Sequence, residues 1–176
     1  MHSALIVVHD GWLLERILHH DGEELIVSIL GRGEAGGLAE IVLSLAVSRE
    51  LMAGSDCVVI SVPWRAILEL SSRWPDCWRR ISEELARQNS SLLDKLLISS
   101  LSGLEGRIAA FLLDVKRIVR RTPALALTQG TIARAVGASR PKVNRCLKAL
   151  ERKGTIEWRS GGVPAIRDEA ALRRLL

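Results

Sequence analysis

The residues whose types and spacing could do chemistry are mostly cations in one short stretch. Arg140, Lys142, Arg145 and Lys148 follow Ser139, with Asn144 among them. Such side chains at helical spacing reach phosphate oxygens and base edges, and arginine's planar fork matches guanine O6 and N7. Other chemistries lack their residues. Cys57, Cys77 and Cys146 are odd in number and far apart, with no CxxC and no Cys/His spacing for zinc or an iron–sulfur centre. Gly31, Gly33, Gly36 and Gly37 form no GxxxxGK[ST] phosphate loop, so turns are their expected use. No Ser/His/Asp or Cys/His order carries a recognisable motif. The expectation is a binding protein rather than an enzyme, with no metal site.

The cationic stretch needs a scaffold, and the flanking sequence supplies one. Thr128 is a suitable N-cap for a short helix running to Val136. Gly137 offers the left-handed conformation of a tight turn, and Ser139-Arg140-Pro141 opens a second helix with serine as cap and proline in the first turn. Val143, Leu147 and Leu150 then face a core while the cations face away. That is a helix-turn-helix whose second helix fits a major groove. After Gly154, Thr155–Arg159 and Val163–Ile166 read as a β-hairpin wing joined at Gly161-Gly162, with Pro164 restricting the second strand to an edge. Upstream, Ser102-Gly103-Leu104-Glu105 has capping-box spacing. The helix it opens runs through Ile108, Phe111, Leu112, Val115 and Ile118 to a basic cluster of Lys116, Arg117, Arg120 and Arg121 before Pro123.

Between Pro75 and Ser102 the spacing predicts a helix of about 25 residues. Trp78, Ile81, Leu85, Leu92 and Leu96 lie at helical spacing and Leu93, Leu97 and Leu101 form a second stripe, so the helix could bury one side on its own β domain and the other on a twin, or pack within the chain alone. Gln88 and Lys95 weaken a strict coiled coil. The first third reads as β: Trp12–Leu18 and Glu24–Leu30 flank the hairpin signal Asp21-Gly22, and Cys57–Val62 makes a further strand.

Charge divides the chain at the same place. Residues 1–102 carry 9 Lys and Arg against 14 Asp and Glu, whereas residues 103–176 carry 16 against 6. An acidic half joined to a basic half is the footprint of a nucleic-acid-binding module attached to something else. With 176 residues, 48% hydrophobic and 26% charged, the chain can bury a core. Its apolar runs stop well short of the roughly 20 residues of a membrane span, and the start MHSALIVVHDGW is unlike a signal peptide. A reducing cytoplasm is expected.

These features resemble the Crp/Fnr family of bacterial transcription regulators over nearly the whole chain. LTQGTIARAVGASRPKVNRCLKALERKGTI, Leu127–Ile156, looks like the family's helix-turn-helix without a gap. VVHDGWLLERILHHDGEELIVSILGRGEAGG resembles the middle of its cyclic-nucleotide-binding-type roll, and PDCWRRISEELARQNSSLLDKLLISSLSGLEGRIAAFLL its dimerisation helix and the start of its DNA-binding domain. The resemblance implies an α+β fold: a partial β-roll over residues 1–75, a dimerisation helix over 76–101 and a winged helix-turn-helix over 102–176.

It further implies that Arg140 and Arg145 contact base edges and Thr128 a phosphate. Pro141 stands where many members carry glutamate, which leaves Lys142 and Asn144 as candidates for altered readout or phosphate contact. In the effector half, members that bind cyclic AMP carry a glycine-glutamate pair and an arginine at the phosphate loop. Gly37-Leu38 aligns with that pair, and Arg49 lies near the arginine but out of register. Ordinary cyclic-nucleotide binding is therefore not expected, and neither is haem at His19 or His20, whose hairpin placement favours exposure. Relative to the family the chain lacks the roll's opening elements, which suits either a minimal effector-independent regulator or a start assigned downstream of the true one. The implied partners are double-stranded DNA, a second copy and RNA polymerase. The competing expectation is an architectural DNA-binding protein of low specificity, dimerised by its β half.

Overall fold

A computed structural model describes residues 4–43, 49–120, 126–158 and 162–176. The first part holds two three-stranded antiparallel sheets. One joins β1 (Ala4–Asp10), β4 (Ala35–Gly36) and β6 (Val58–Pro63) in the order β4-β1-β6, and the other joins β2 (Leu13–Leu18), β3 (Glu24–Leu30) and β5 (Arg49–Ala53) in the order β3-β2-β5. The sheets do not join into a closed barrel. Side-chain alternation along β2 explains their stacking. Leu13 meets Val8 and Leu30 between the sheets, while Leu14 points the other way with Trp12, Ile26 and Ile29. Gly54 lies against Trp12 so closely that an added Cβ would come within 2.1 Å of the ring.

The β2–β3 hairpin forms as expected, but its turn differs. His19 N donates to Glu23 O and Gly22 N to His19 O, so Gly22, at φ +86°, stands at the end of the turn and not at one of two central positions. The strands β1, β4 and β5 had no counterpart in the sequence pattern, and neither had two helices of this part, the short α1 (Leu38–Leu43) and α2 (Trp64–Arg73), which leads into α3 (Asp76–Leu101). The rings of Trp64 and Trp78 meet edge-on with centroids 5.9 Å apart. Of the 26 residues of α3, none is buried. Lys95, a blemish in a coiled coil, has a different task here: its Nζ donates to Val27 O of β3 at 3.0 Å and lies 3.6 Å from Asp114 of the next helix.

That helix, α4 (Leu104–Val119), is not opened by a capping box. Gly103 takes the cap position without a side-chain bond, and Ser102 Oγ instead donates to Leu176 O, while Glu105 faces Lys153 at 3.5 Å. The chain's far end thus captures the serine that would have capped. Gly106 lets the end of the chain approach, since a Cβ there would lie 2.5 Å from Leu175 O. Beyond it follow α5 (Gln129–Val136), α6 (Arg140–Arg152), β7 (Ile156–Glu157), β8 (Ala165–Ile166) and a terminal α7 (Glu169–Arg173) that the sequence reading missed. The wing strands are shorter than expected, and Pro164 precedes β8 rather than lying in it. Arg121, Pro123, Arg159 and Gly161 lie outside the described residues.

One core surrounds Ile108, Leu112, Ile132, Val143, Leu147, Leu150, Ile156 and Leu172. A second joins Val115, Ile118 and Leu127 to Trp12, Leu14, Ile26 and Ile29 of the sheet. Helix α4 therefore belongs to both.

Candidate nucleic-acid interface

The reader is built by local rules. Thr128 Oγ1 accepts from Thr131 N at 3.0 Å, satisfying one of the orphan amides of α5. At the other end Gly137 adopts φ +60° and ψ +47°, and Ala138 N donates back to Ala133 O at 3.0 Å, a left-handed cap that turns the chain sharply. Ser139 occupies the N-cap of α6 with extended backbone, but its hydroxyl makes no capping bond. Pro141 sits in the first turn, where a missing N–H costs nothing.

The two faces of α6 then separate. Val143, Cys146, Leu147 and Leu150 are buried, and burial pushes the Cys146 thiol above its usual range, so it acts as a small core residue. Arg140, Lys142, Arg145 and Lys148 are exposed, as are Thr128 and Ser139. Asn144 is half-buried because Gln129 Nε2 donates to its Oδ1 at 3.1 Å, a bond between the two helices that the sequence did not signal.

Other cations near the helix-turn-helix are committed elsewhere. Lys116 Nζ lies 2.6 Å from Glu169 Oε2, and together with Arg173 it holds that carboxyl down to about 2. Arg117 is paired with Glu34 and Asp114. Arg134 of α5 reaches across to the sheet, its Nε 2.5 Å from Glu24 Oε1 in an ion pair poorly aligned for a hydrogen bond. Arg16 holds the same glutamate at 2.7 Å.

In the effector half, Arg49 does line a cavity of about 710 Å³ between the glycine turn and α3. Two of its three nitrogens already face carboxylates. Nε lies 2.7 Å from Glu40 Oε1 and Nη1 3.4 Å from Glu15 Oε1. The aligned carboxylate position is Leu38, yet the fold supplies two carboxylates from elsewhere. Glu40 is 5% exposed and its Oε2 has no hydrogen-bond partner. Burial raises the Glu15 carboxyl above its ordinary value, Arg49 pulls it down and Glu40 pushes it up. A phosphate arriving here would have to displace two anions from the cation it needs.

Among the residues expected at a dimer face, Trp78, Leu92 and Leu96 are exposed, while Ile81 and Leu85 are half-buried within the chain. Leu93, Leu97 and Leu101 are exposed beside them. No helix among the described residues is long and apolar enough to cross a membrane.

Residues 106–175 match the Crp-like helix-turn-helix domain. The chain is 30% identical over 141 residues to the cAMP-activated global transcriptional regulator CRP of Pasteurella multocida, covering 74% of this chain and 66% of that protein. It is 28% identical over 163 residues to the protein of that name from Salmonella typhimurium, covering 88% and 76%. The chain thus spans about two thirds to three quarters of the length of these relatives. In fold it resembles FixK2 from Bradyrhizobium japonicum, with a TM-score of 0.80 at 21% identity over 99% of this chain and 87% of that one. It also resembles a CRP-family regulator from Thermus thermophilus, with a TM-score of 0.77 at 23% identity over 98% and 87%. With its helix-turn-helix matched over residues 106–175 and its sequence relatives aligned along most of its length, the chain belongs to the Crp/Fnr family of transcription regulators.

Proposed function

We propose that the chain works as a homodimer that reads a pseudo-palindromic duplex site, one half-site for each α6. The observation that carries this reading is the division of α6, with four buried residues on one side and Arg140, Lys142, Arg145 and Lys148 exposed on the other. Arg140 and Arg145 are assigned to base edges. Thr128, Ser139, Lys142 and Lys148 are assigned to the backbone, and Asn144, tied to Gln129, to holding the two helices together with its amide toward DNA. Exposed leucines along α3 support the dimer. Residues 1–75 then serve as the roll, 76–101 as the dimerisation helix and 102–176 as the reader. Arg49 is given to internal charge balance, so cyclic AMP, in the name of the curated relatives, has no place in this reading. The work is done in the cytoplasm on promoter DNA, with RNA polymerase as the downstream partner.

A titration against a selected duplex and a random one tests it. Arg145→Ala is expected to lose about 1–3 kcal/mol of discrimination between the two. Full specificity in that variant would remove α6 from base reading. Equal affinity of the wild-type chain for both duplexes, falling steeply with salt, would instead favour an architectural role.

A further inference from the structure

Three ligand-bearing side chains meet at the tip of the β2–β3 hairpin. His19, His20 and Asp21 each offer one nitrogen or oxygen, all within 4.8 Å of one another, the one such group among the described residues. The imidazole centroids are 4.0 Å apart, and His19 Nδ1 lies 2.6 Å from Asp21 Oδ1. Neighbours on a straight strand point to opposite faces. Here the chain has left β2 at Leu18 and bends towards Gly22, so the two imidazoles converge. Glu23 N donates to Asp21 Oδ1 at 3.3 Å, which holds the carboxylate within the turn.

We infer that this tip is a binding site for a divalent transition ion of the zinc class, held by His19, His20 and Asp21. Tetrahedral bonds of about 2.0–2.1 Å place ligand atoms about 3.3 Å apart. His19 Nδ1 and Asp21 Oδ1 are hydrogen-bonded at 2.6 Å, so an ion would take the place of the shared proton as the two atoms move apart to that separation, and an exposed His20 closes the remainder by side-chain rotation. Two imidazoles and one carboxylate select zinc, cobalt or nickel over magnesium or calcium, which prefer oxygen alone. Three protein ligands leave a coordination position for water or another group. Sequence spacing had given no sign of the site because its ligands are consecutive, a pattern that only a turn can gather.

The site has a route to the reader. Glu24, three residues past Asp21, carries the ion pair with Arg134 of α5. An ion that fixes the tip fixes the end of the strand bearing Glu24, and so biases the contact between the sheet and the first helix of the helix-turn-helix. This second part rests on the DNA-reading proposal; the metal site does not.

The test uses the full chain. Co²⁺ is titrated while its visible absorption is followed, then displaced by Zn²⁺, for the wild type and for His19→Ala, His20→Ala and His9→Ala. One zinc-displaceable equivalent is expected, weakened by about tenfold or more in His19→Ala and His20→Ala and unchanged in His9→Ala. Wild-type affinity in His20→Ala overturns the site; circular dichroism shows whether these surface changes leave the fold intact. In a duplex-binding titration, Zn²⁺ is expected to shift the affinity of the wild type and not of His20→Ala. Zinc bound with duplex affinity unchanged overturns the route to the reader alone, and zinc bound by a chain that takes no duplex overturns the DNA reading alone.

Discussion

The reader and the roll are made of similar proportions of apolar residues but use them differently. In the reader, α4, α5, α6, the wing and α7 close around a cluster in which Ile108, Ile132, Val143 and Leu172 show no exposed surface. In the roll, β6 pairs only with β1 among the described residues, and its Val58, Val59 and Ile60 are 55%, 41% and 49% exposed. Leu93, Leu96, Leu97 and Leu101 of α3 are barer still, up to 78% at Leu101. The reader's apolar surface is satisfied within one chain. That of α3 and of the roll's outer strand is left for something else to cover, and this fits a DNA-binding end that is complete and a regulatory end that is finished by association.

Breaking that contrast should produce effects in a definite order. The largest is expected for Leu92→Lys combined with Leu96→Lys, two leucines that together expose about one side chain's worth of apolar surface, so their loss takes about 3–6 kcal/mol per dimer from the association. Analytical ultracentrifugation should then give the mass of one chain, with the circular dichroism of the wild type. Next, Leu112→Ala should cost about 2–5 kcal/mol in urea unfolding. The same truncation at exposed Val59 should stay within about 0.5 kcal/mol, and equal losses at the two positions would erase the contrast.

A smaller loss, about 1–3 kcal/mol, is expected for Arg49→Leu at pH 7, reduced from the full cost of breaking a buried pair because the arginine side chain is one-fifth exposed. Without the guanidinium, Glu15 loses the cation that lowers its carboxyl and keeps the burial and the Glu40 charge that raise it. A raised carboxyl stabilises the fold below its unfolded value of 4.5 and loses that contribution as pH rises through the folded value. Stability of the variant should therefore recover between pH 7 and pH 5, measured by urea unfolding at each. The smallest effect belongs to Lys116→Ala. Glu169 is held at about 2, so its contribution is complete above 4.5 and fades as pH falls towards 2. In the variant its carboxyl should titrate nearer 4.5 by NMR, with stability at pH 7 almost unchanged.

The reader was legible because its signals are local. A cap at Thr128, a left-handed glycine at 137, and the spacing of Val143, Leu147 and Leu150 each act within a few residues. The roll was less so. β1 finds its partner β6 some fifty residues away, Leu5 opposite Val62, and no local pattern announces such a pairing. Ser102 had the right spacing for a cap, but Leu176 O, brought back by the fold, took its hydroxyl. Arg49 was placed near a pocket from the sequence, while Glu40 and Glu15, which determine what that pocket will accept, arrive from a helix and a different strand.

Because α4 serves two cores, the reader cannot be cut free cleanly. A recombinant fragment beginning near Ser102 would retain every buried residue around Ile108 and Leu112. It would also bare Val115, Ile118 and Leu127, which the sheet covers in the intact chain. Such a fragment should fold and yet stick to itself, and replacing Val115 and Ile118 with polar residues is the repair that would make it a well-behaved reagent.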